Sequence, residues 1–174
     1  MKNEIAKRIY EKSHLTGEFK LRSGLVSNEY FDKYLFEADP KLLMDIVGEM
    51  KSLIPEGTEF FAVLEMGGIP VVTALSILTG MEALFVRKHA KEYGTCKLAE
   101  GSDFAGKRVC IVEDVVTTGG QIILSANELR QRGAIVEDVI CVIQRNRDAS
   151  DILAKEGLTL KPAFTMEYIE QAVK

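Results

Sequence analysis

Residues 109–120 of this 174-residue chain read VCIVEDVVTTGG, and the order of residue types in this stretch decides the fold. Its first four residues are apolar, which is typical of a strand buried on both faces of a sheet. Two acids, two valines, two threonines and two glycines follow, and a helix is predicted from about Gln121 to Arg132. In open α/β sheets, ligands bind beyond the carboxyl ends of the strands. The stretch therefore predicts a strand, a turn with a ligand site, and a helix.

Similar apolar runs occur on both sides of this stretch, at 60–64, 83–86 and 136–143. Helical segments separate these runs, and such alternation is typical of a parallel sheet that helices cover on both faces. We therefore predict an α/β fold with a central parallel sheet flanked by helices. The length suits one domain over residues 1–174.

The first 37 residues have a different pattern. Residues 3–15 carry apolar side chains among charges, which predicts an amphipathic helix. Two short extended segments follow at 18–22 and 27–31, with Gly24 between them as a turn or bulge. The sequence therefore predicts that a helix and a small hairpin precede the main sheet.

The composition limits the class of protein. The formal net charge is −4 at neutral pH and the pI is near 5.4, which argues against a general nucleic-acid binder because such proteins present a basic face. No apolar stretch approaches the roughly 18 residues of a membrane span, and residues 1–15 show no apolar signal segment. The cysteines Cys96, Cys110 and Cys141 form no metal-ligand pattern. We therefore predict a cytoplasmic protein with no membrane or nucleic-acid partner.

The turn after the central strand has the composition of a phosphate site. Glycines let backbone N–H groups converge on an anion, and the N-terminus of the next helix adds partial positive charge. Glu113 and Asp114 would repel a phosphate, but they can accept hydrogen bonds from a diol or balance a cationic centre. Together these groups suit a ribose 5-phosphate. The plain alternative is an ordinary strand–turn–helix junction; neither the P-loop nor the dinucleotide-binding glycine pattern is present in this stretch.

Residues 113–120 resemble the signature with which type I phosphoribosyltransferases bind 5-phosphoribosyl-1-pyrophosphate (PRPP). Three further segments in the right order make residues 17–145 similar to the orotate phosphoribosyltransferases. Residues 19–32 resemble the N-terminal hood of that family, 64–70 its pyrophosphate loop and 86–94 its mobile catalytic loop. The resemblance implies the type I phosphoribosyltransferase fold. It also implies transfer of ribose 5-phosphate from PRPP to orotate in de novo pyrimidine biosynthesis, which yields orotidine 5′-monophosphate and pyrophosphate.

The resemblance further implies a set of site residues. The catalytic groups would be Lys91, Glu113 and Asp114. Orotate is a flat ring with a carboxylate, so the planar guanidinium of Arg145 suits it. Mg²⁺ would be the cofactor, held mainly through PRPP and with no direct protein ligand assigned. The implied orotate-binding residues are Arg22, Tyr30, Phe31, Thr117 and Arg145, and the implied PRPP-binding residues are Gly67, Gly68, Arg87, Lys88, Lys91, Glu113, Asp114, Val115, Val116, Thr117, Thr118, Gly119, Gly120 and Gln121.

Residues 87–103 are polar and show no clear helix or strand period, and a gap of that length inside a compact domain is usually functional or disordered. Arg87, Lys88 and Lys91 place three cations at its start. A solvated charge run is the ordinary explanation for such a cluster. The resemblance implies instead a mobile lid that closes over pyrophosphate and excludes water. Because the loop lysine of that family reaches the active site of the neighbouring subunit, the resemblance also implies a homodimer.

Two positions depart from the family pattern, and other functions stay open. Tyr93 stands where many relatives have histidine, and Arg22 stands where many have lysine. A phosphoribosyltransferase for another base would need no carboxylate-binding arginine, so Arg145 argues against it. A non-catalytic PRPP-sensing regulator would usually carry an added DNA-binding domain or a degraded lid, whereas this chain keeps the lid cations. A purely structural role leaves the acids and the phosphate turn unexplained.

Overall fold

The structure, a computed structural model, describes residues 1–20, 24–87 and 98–174. Helices and strands alternate through most of these ranges. The helices are α1 (Lys2–Ser13), α2 (Lys33–Glu37), α3 (Pro40–Lys51), α4 (Ile69–Thr79), α5 (Gly120–Gln131), α6 (Ala149–Ala154) and α7 (Met166–Gln171). The strands are β1 (His14–Lys20), β2 (Val26–Phe31), β3 (Phe60–Leu64), β4 (Glu82–Val86), β5 (Ala99–Glu100), β6 (Arg108–Val116), β7 (Ile135–Gln144) and β8 (Thr159–Thr165).

The main sheet has the strand order β5-β4-β3-β6-β7-β8. Neighbouring strands are parallel except for β4 and β5, which are antiparallel. The predicted strand of the central stretch is β6, which lies between β3 and β7. The central parallel sheet flanked by helices is therefore confirmed, with one short antiparallel strand at its edge.

The main sheet is covered on both faces, as its continuous apolar strands require. On one face, Val112 of β6 belongs to a buried cluster that includes Ile9 of α1 and Ile46 of α3. On the other face, Ile111 belongs to a second buried cluster with Leu129 of α5. Successive side chains of a strand point to opposite faces, so β6 contributes to both clusters. Packing on both sides therefore fixes the position of the acids that β6 carries.

The N-terminal hairpin is confirmed as a separate two-stranded sheet of β1 and β2. The short helix α2 follows it directly. Asp32 caps this helix, because its carboxylate accepts a hydrogen bond of 3.0 Å from the backbone N–H of Tyr34. Phe36 of α2 is fully buried in the first of the two clusters. The helix therefore holds the residues that follow the hairpin against the main sheet.

Several boundaries differ from the sequence prediction. The first helix ends at Ser13 rather than at residue 15, because the hairpin strand starts there. β6 continues to Val116, since its backbone stays paired with β7. Glu113 and Asp114 therefore lie inside the strand and not beyond its end. Within the predicted lid stretch 87–103, β5 pairs with β4, so the last part of that stretch belongs to the sheet edge.

The strand β8 and the two helices beside it were not predicted from the sequence. Pro162 lies in the middle of β8 and cannot donate a hydrogen bond to a neighbouring strand. The strand tolerates it because β8 lies at the edge of the sheet, where only β7 pairs with it. A proline inside a short run with mixed polarity conceals the strand from pattern reading.

Candidate active site

A cleft of about 680 Å³ opens at the carboxyl edge of the sheet, where β3 and β6 end. It brings together three segments that are far apart in the chain: the end of β3, the end of β6 and the start of α2. The lining residues are Lys33, Tyr34, Leu64, Glu65, Met66, Gly67, Glu113, Asp114, Val115, Val116, Thr117, Thr118, Gly119, Gly120, Gln121 and Ile122. Ten of the residues that the sequence singled out for PRPP therefore share one cleft, as Gly67 and the nine residues of 113–121.

The turn between β6 and α5 has the backbone shape that its glycines permit. Gly119 has φ of +78°, and a Cβ there would come within 2.9 Å of a methyl carbon of Leu153. Any other residue at this position would therefore meet both backbone strain and a clash. The hydroxyl-bearing Thr117 and Thr118 are exposed, and α5 begins at Gly120. The turn thus offers hydroxyl and N–H donors beside the positive end of a helix, a combination that suits an anion.

The turn after β3 also lies close to the acids of β6. Its peptide bond between Glu65 and Met66 is cis. A Cβ on Gly67 would overlap the Lys33 ammonium and the Asp114 carboxylate. A Cβ on Gly68 would lie 2.7 Å from a Val63 methyl carbon, so that glycine allows the turn to pack on β3. Glycine is therefore required at both positions for the turn to lie this close to β3 and β6. Gly67 lines the cleft, whereas Gly68 packs on β3 and does not line it.

The two acids of β6 differ in their surroundings. Asp114 is 2% exposed; its Oδ1 accepts a hydrogen bond of 2.6 Å from the backbone N–H of Val115, and its Oδ2 forms an ion pair with Lys33. Glu113 is partly buried. Burial, together with the charge of Asp114, raises the pKa of Glu113 to about 8. One acid is thus held by fixed partners, while burial favours the neutral form of the other.

Sequence reasoning missed Lys33 and Glu37, which α2 brings to Asp114. Glu37 is 5% exposed, and its carboxyl lies close enough to Asp114 to interact with it. Burial, then contact with Asp114, raises the pKa of Glu37 to about 8. Burial alone would lower the pKa of Lys33, but its hydrogen bond and attraction to Asp114 raise it. The only sequence signal for this cluster is its place directly after the hairpin residues Tyr30 and Phe31, since charges in a short helix normally indicate a solvated surface.

The buried carboxyl of Glu37 makes the stability of the fold depend on pH. An unfolded Glu37 ionises near pH 4.5, whereas the folded one ionises near 8, so folding takes up a proton between these values. The free energy of unfolding therefore falls as pH rises through this window. Glu37→Gln should remove this pH dependence, so that the free energy of unfolding of the variant gains about 4 kcal/mol relative to wild type between roughly pH 5 and pH 8. Urea unfolding at a series of pH values measures the difference.

The matched control for this prediction is the exposed Glu156. Glu156→Gln should leave the pH dependence of unfolding unchanged. A Glu37→Gln variant whose stability follows the wild-type curve at every pH would show that Glu37 is ionised in the folded protein.

A second cleft, of about 550 Å³, lies between the hairpin and the end of β7. Tyr30 and Phe31 of β2 and Arg145 after β7 share its lining. The backbone N–H of Arg145 donates a 2.8 Å hydrogen bond to the carbonyl of Val116, which places the arginine beside the end of β6. Thr117, the fourth described candidate for the base, lines the first cleft instead. The remaining residues that line the second cleft are Tyr10, His14, Ser27, Glu29, Met166, Glu170, Val173 and Lys174.

Of the predicted lid cations, Arg87 lies among the residues that the structure describes. Arg87 follows β4, and its guanidinium forms an ion pair of 3.2 Å with Glu100 of β5. Within the described ranges it does not line the first cleft. Outside the described residues lie Lys88, Lys91 and Tyr93, the last of which differs from the family pattern. The hood residue Arg22 also lies outside them.

Several known proteins with similar sequences and structures are named orotate phosphoribosyltransferase. The protein of that name from Nocardioides sp. (strain ATCC BAA-499 / JS614) is 52% identical over 158 residues, which cover 91% of this chain and 88% of the relative. The crystal structure of the Mycobacterium tuberculosis H37Rv enzyme with Fe(III) dicitrate has a TM-score of 0.87 at 28% identity, covering 97% and 98% of the two chains. The same enzyme in complex with PRPP gives a TM-score of 0.82 at 26% identity, with the same coverage. No family model matches the chain.

Proposed function

The chain belongs to the orotate phosphoribosyltransferase family, and from this membership we propose that it transfers ribose 5-phosphate from PRPP to orotate. The products are orotidine 5′-monophosphate and pyrophosphate, in de novo pyrimidine biosynthesis. One observation carries the proposal most strongly. The phosphate-type turn, the acids of β6 and the turn after β3 share one cleft, and Arg145 lines a second cleft beside it.

PRPP would lie along the first cleft with its 5-phosphate at the start of α5 and its diphosphate at the turn after β3. Its 5-phosphate would lie on the turn 117–120 and on Gln121, at the positive end of α5. The ribose hydroxyls would donate hydrogen bonds to Glu113 and Asp114. The diphosphate would then extend toward Gly67, in the turn that packs on β3 through Gly68. Val115 and Val116 would line the ribose between these groups.

Orotate would bind in the second cleft, on the side where Arg145 adjoins the end of β6. Arg145 would form two hydrogen bonds with its carboxylate, because a guanidinium and a carboxylate match in a planar, bidentate geometry. Tyr30 and Phe31 would cover the ring from the hairpin side, and Thr117 would contact it from the PRPP side. Arg22 of the hood would contribute further positive charge.

The reaction breaks the bond between the anomeric carbon and the diphosphate oxygen, and a bond to the orotate nitrogen forms. Positive charge develops on the ribosyl ring, where the carboxylate of Asp114 would oppose it, and the same charge would favour ionisation of Glu113 so that it adds to the effect. Negative charge develops on pyrophosphate, where Arg87, Lys88 and Lys91 would stabilise it. The ring nitrogen of orotate supplies the attacking electron pair and gives up its proton, which the departing pyrophosphate or solvent would accept, so no covalent enzyme intermediate is needed.

Magnesium is the proposed cofactor, held mainly through the diphosphate of PRPP. Mg²⁺ prefers oxygen ligands and usually binds through substrate phosphates with few protein ligands. The first cleft suits this arrangement, since its lining offers carboxylate and hydroxyl oxygens. Among the described residues, no group of three or more acidic, histidine or cysteine side chains could hold a metal by itself. When bound, the ion would offset the negative charge that develops on pyrophosphate.

The proposed assembly is a homodimer whose lid, the part of residues 87–103 that precedes β5, would close over the active site of the neighbouring subunit. Closure would exclude water, which otherwise hydrolyses PRPP. Cys110 and Cys141 are buried free thiols, which supports a reducing, cytoplasmic location. In the described ranges, no helix is both long and apolar enough to cross a membrane.

A spectrophotometric assay with PRPP and magnesium tests the proposal. Orotate should be consumed, while hypoxanthine, guanine, adenine, xanthine and uracil supplied in its place should not react. Turnover of another base would keep the PRPP site and overturn the assignment of Arg145. Binding of PRPP without turnover of any base would favour a PRPP-sensing regulator.

A further inference from the structure

The helix α2 places two charged groups against the ribose-binding acid, although it lies outside the segments that bind PRPP. The Lys33 ammonium forms an ion pair with Asp114 Oδ2, and it also lies 5.2 Å from the centre of the Tyr34 ring. Glu37, one turn later on the same helix, lies close enough to interact with the same carboxylate. Asp114 therefore has one partner at the rim of the cleft and another in the core.

The contact between Glu37 and Asp114 requires a proton. Glu37 is buried, and neither of its carboxyl oxygens accepts a hydrogen bond from any described residue. Two ionised carboxylates in contact inside a protein repel each other strongly. The contact is favourable only when one of them carries a proton and donates it as a hydrogen bond. Glu37 is the protonated one, because Asp114 already has the ammonium of Lys33 as its partner.

We propose that Lys33 and Glu37 are positioning residues for the reaction with PRPP: the ammonium of Lys33 and the protonated carboxyl of Glu37 both donate hydrogen bonds to Asp114 and fix its carboxylate for a ribose hydroxyl. The inference rests on the proposed function, since it assigns Asp114 to the ribose. Together with the hydrogen bond from the Val115 N–H, these donors leave the carboxylate little freedom to rotate. A group that is ordered before the substrate arrives requires no reorganisation in the transition state.

The position of Lys33 also links two parts of the site. The space at Gly67 is closed by the Lys33 ammonium and the Asp114 carboxylate. The ammonium therefore lies between the turn proposed for the diphosphate and the acid proposed for the ribose. Loss of Lys33 should disturb PRPP binding more than orotate binding, because the lysine lines the first cleft and not the second.

The test compares variants that keep or remove each donor. Lys33→Met should weaken PRPP binding and raise the KM for PRPP by roughly tenfold to a hundredfold, the worth of a hydrogen bond to a charged group. Lys33→Arg should recover most of that loss. Glu37→Gln keeps a hydrogen-bond donor, so its PRPP affinity should stay close to that of wild type. Glu37→Met removes the donor and should bind PRPP more weakly than wild type. The KM for orotate should stay within about twofold of wild type in all four variants.

Calorimetric titration with PRPP alone gives the affinity without any assumption about the base. Lys41→Met, an exposed lysine on the neighbouring helix α3, is the matched control and should behave as wild type. A folded Lys33→Met variant with wild-type PRPP affinity and turnover would overturn the proposal. Equal losses of PRPP and orotate affinity would also overturn it, because they indicate general damage to the fold.

Infrared spectroscopy of the wild-type protein gives a readout that depends on neither folding of a variant nor catalysis. At neutral pH we expect protonated-carboxyl absorption from both Glu113 and Glu37, and the Glu37 band is the part that Glu37→Gln removes. Absence of the Glu37 band in wild type overturns the proposal even where orotate is turned over. If the band is present but the protein neither binds PRPP nor uses orotate, the contact between Glu37 and Asp114 is supported. The proposed function and the positioning role are then both overturned.

Discussion

Asp114→Asn should lower kcat/KM for PRPP by roughly a hundredfold to a thousandfold, the usual effect of removing one positioned electrostatic group from an active site. The substitution keeps the shape of the side chain but removes the negative charge that opposes the developing positive charge on the ribosyl ring. It also leaves the Lys33 ammonium beside a neutral amide, so the loss of attraction affects PRPP binding as well. Initial rates at saturating orotate and varied PRPP measure the effect.

The control for this prediction is Asp151→Asn, at an exposed aspartate on α6. That variant should have wild-type rates. Thermal unfolding of Asp114→Asn separates a catalytic loss from an unfolded sample, because Asp114 is buried. A folded Asp114→Asn protein with rates near those of wild type would remove Asp114 from the mechanism, and the role of opposing the ring charge would pass to Glu113.

The central part of this fold could be predicted from the sequence because its local and tertiary requirements agree. The strands of a parallel sheet are buried on both faces, so their residues are continuously apolar and easy to recognise at 60–64 and 109–112. Gly119 in the turn after β6 has a positive φ, a conformation that favours glycine. The glycine pair in the sequence therefore indicates the turn. The same local rules placed the acids next to the turn, although the strand extends four residues further than predicted.

The parts that could not be predicted depend on contacts between distant residues. Lys33 and Asp114 are 81 positions apart, and nothing local distinguishes Lys33 from a surface lysine. Glu37 would count as a solvated acid on its own helix, and only burial against Asp114 gives it another role. Likewise, the pairing of β5 with β4 changes the end of a polar loop into a sheet edge. Such features follow from how the hairpin and α2 dock onto the sheet, which a pattern along the chain does not encode.

The two clefts divide recognition between elements of different origin. The PRPP cleft is built almost entirely on β3 and β6 and the turns after them, which packing on both faces holds rigid. The second cleft combines Arg145 from the main sheet with aromatic side chains from the hairpin, and those side chains are partly exposed. Base recognition therefore requires the hairpin to stay docked, whereas the PRPP site does not depend on it to the same degree.

This division leads to the second large effect. Arg145→Ala should lower kcat/KM for orotate by roughly a hundredfold, because two charge-assisted hydrogen bonds to the orotate carboxylate are lost. The affinity for PRPP, measured by calorimetry without orotate, should stay unchanged, since Arg145 does not line the PRPP cleft. Arg145→Lys should restore only part of the activity, because an ammonium keeps the charge but not the planar pair of donors.

Arg147 provides a nearby control, since it is exposed and forms an ion pair with Glu167 on α7. Arg147→Ala should leave both substrate affinities at wild-type values. Equal activity of Arg145→Ala and wild type on orotate would place the carboxylate elsewhere, with Arg22 of the hood as the next cation to replace. A loss of PRPP affinity in Arg145→Ala would show instead that the two clefts act as one site, because the arginine backbone is bonded to the end of β6.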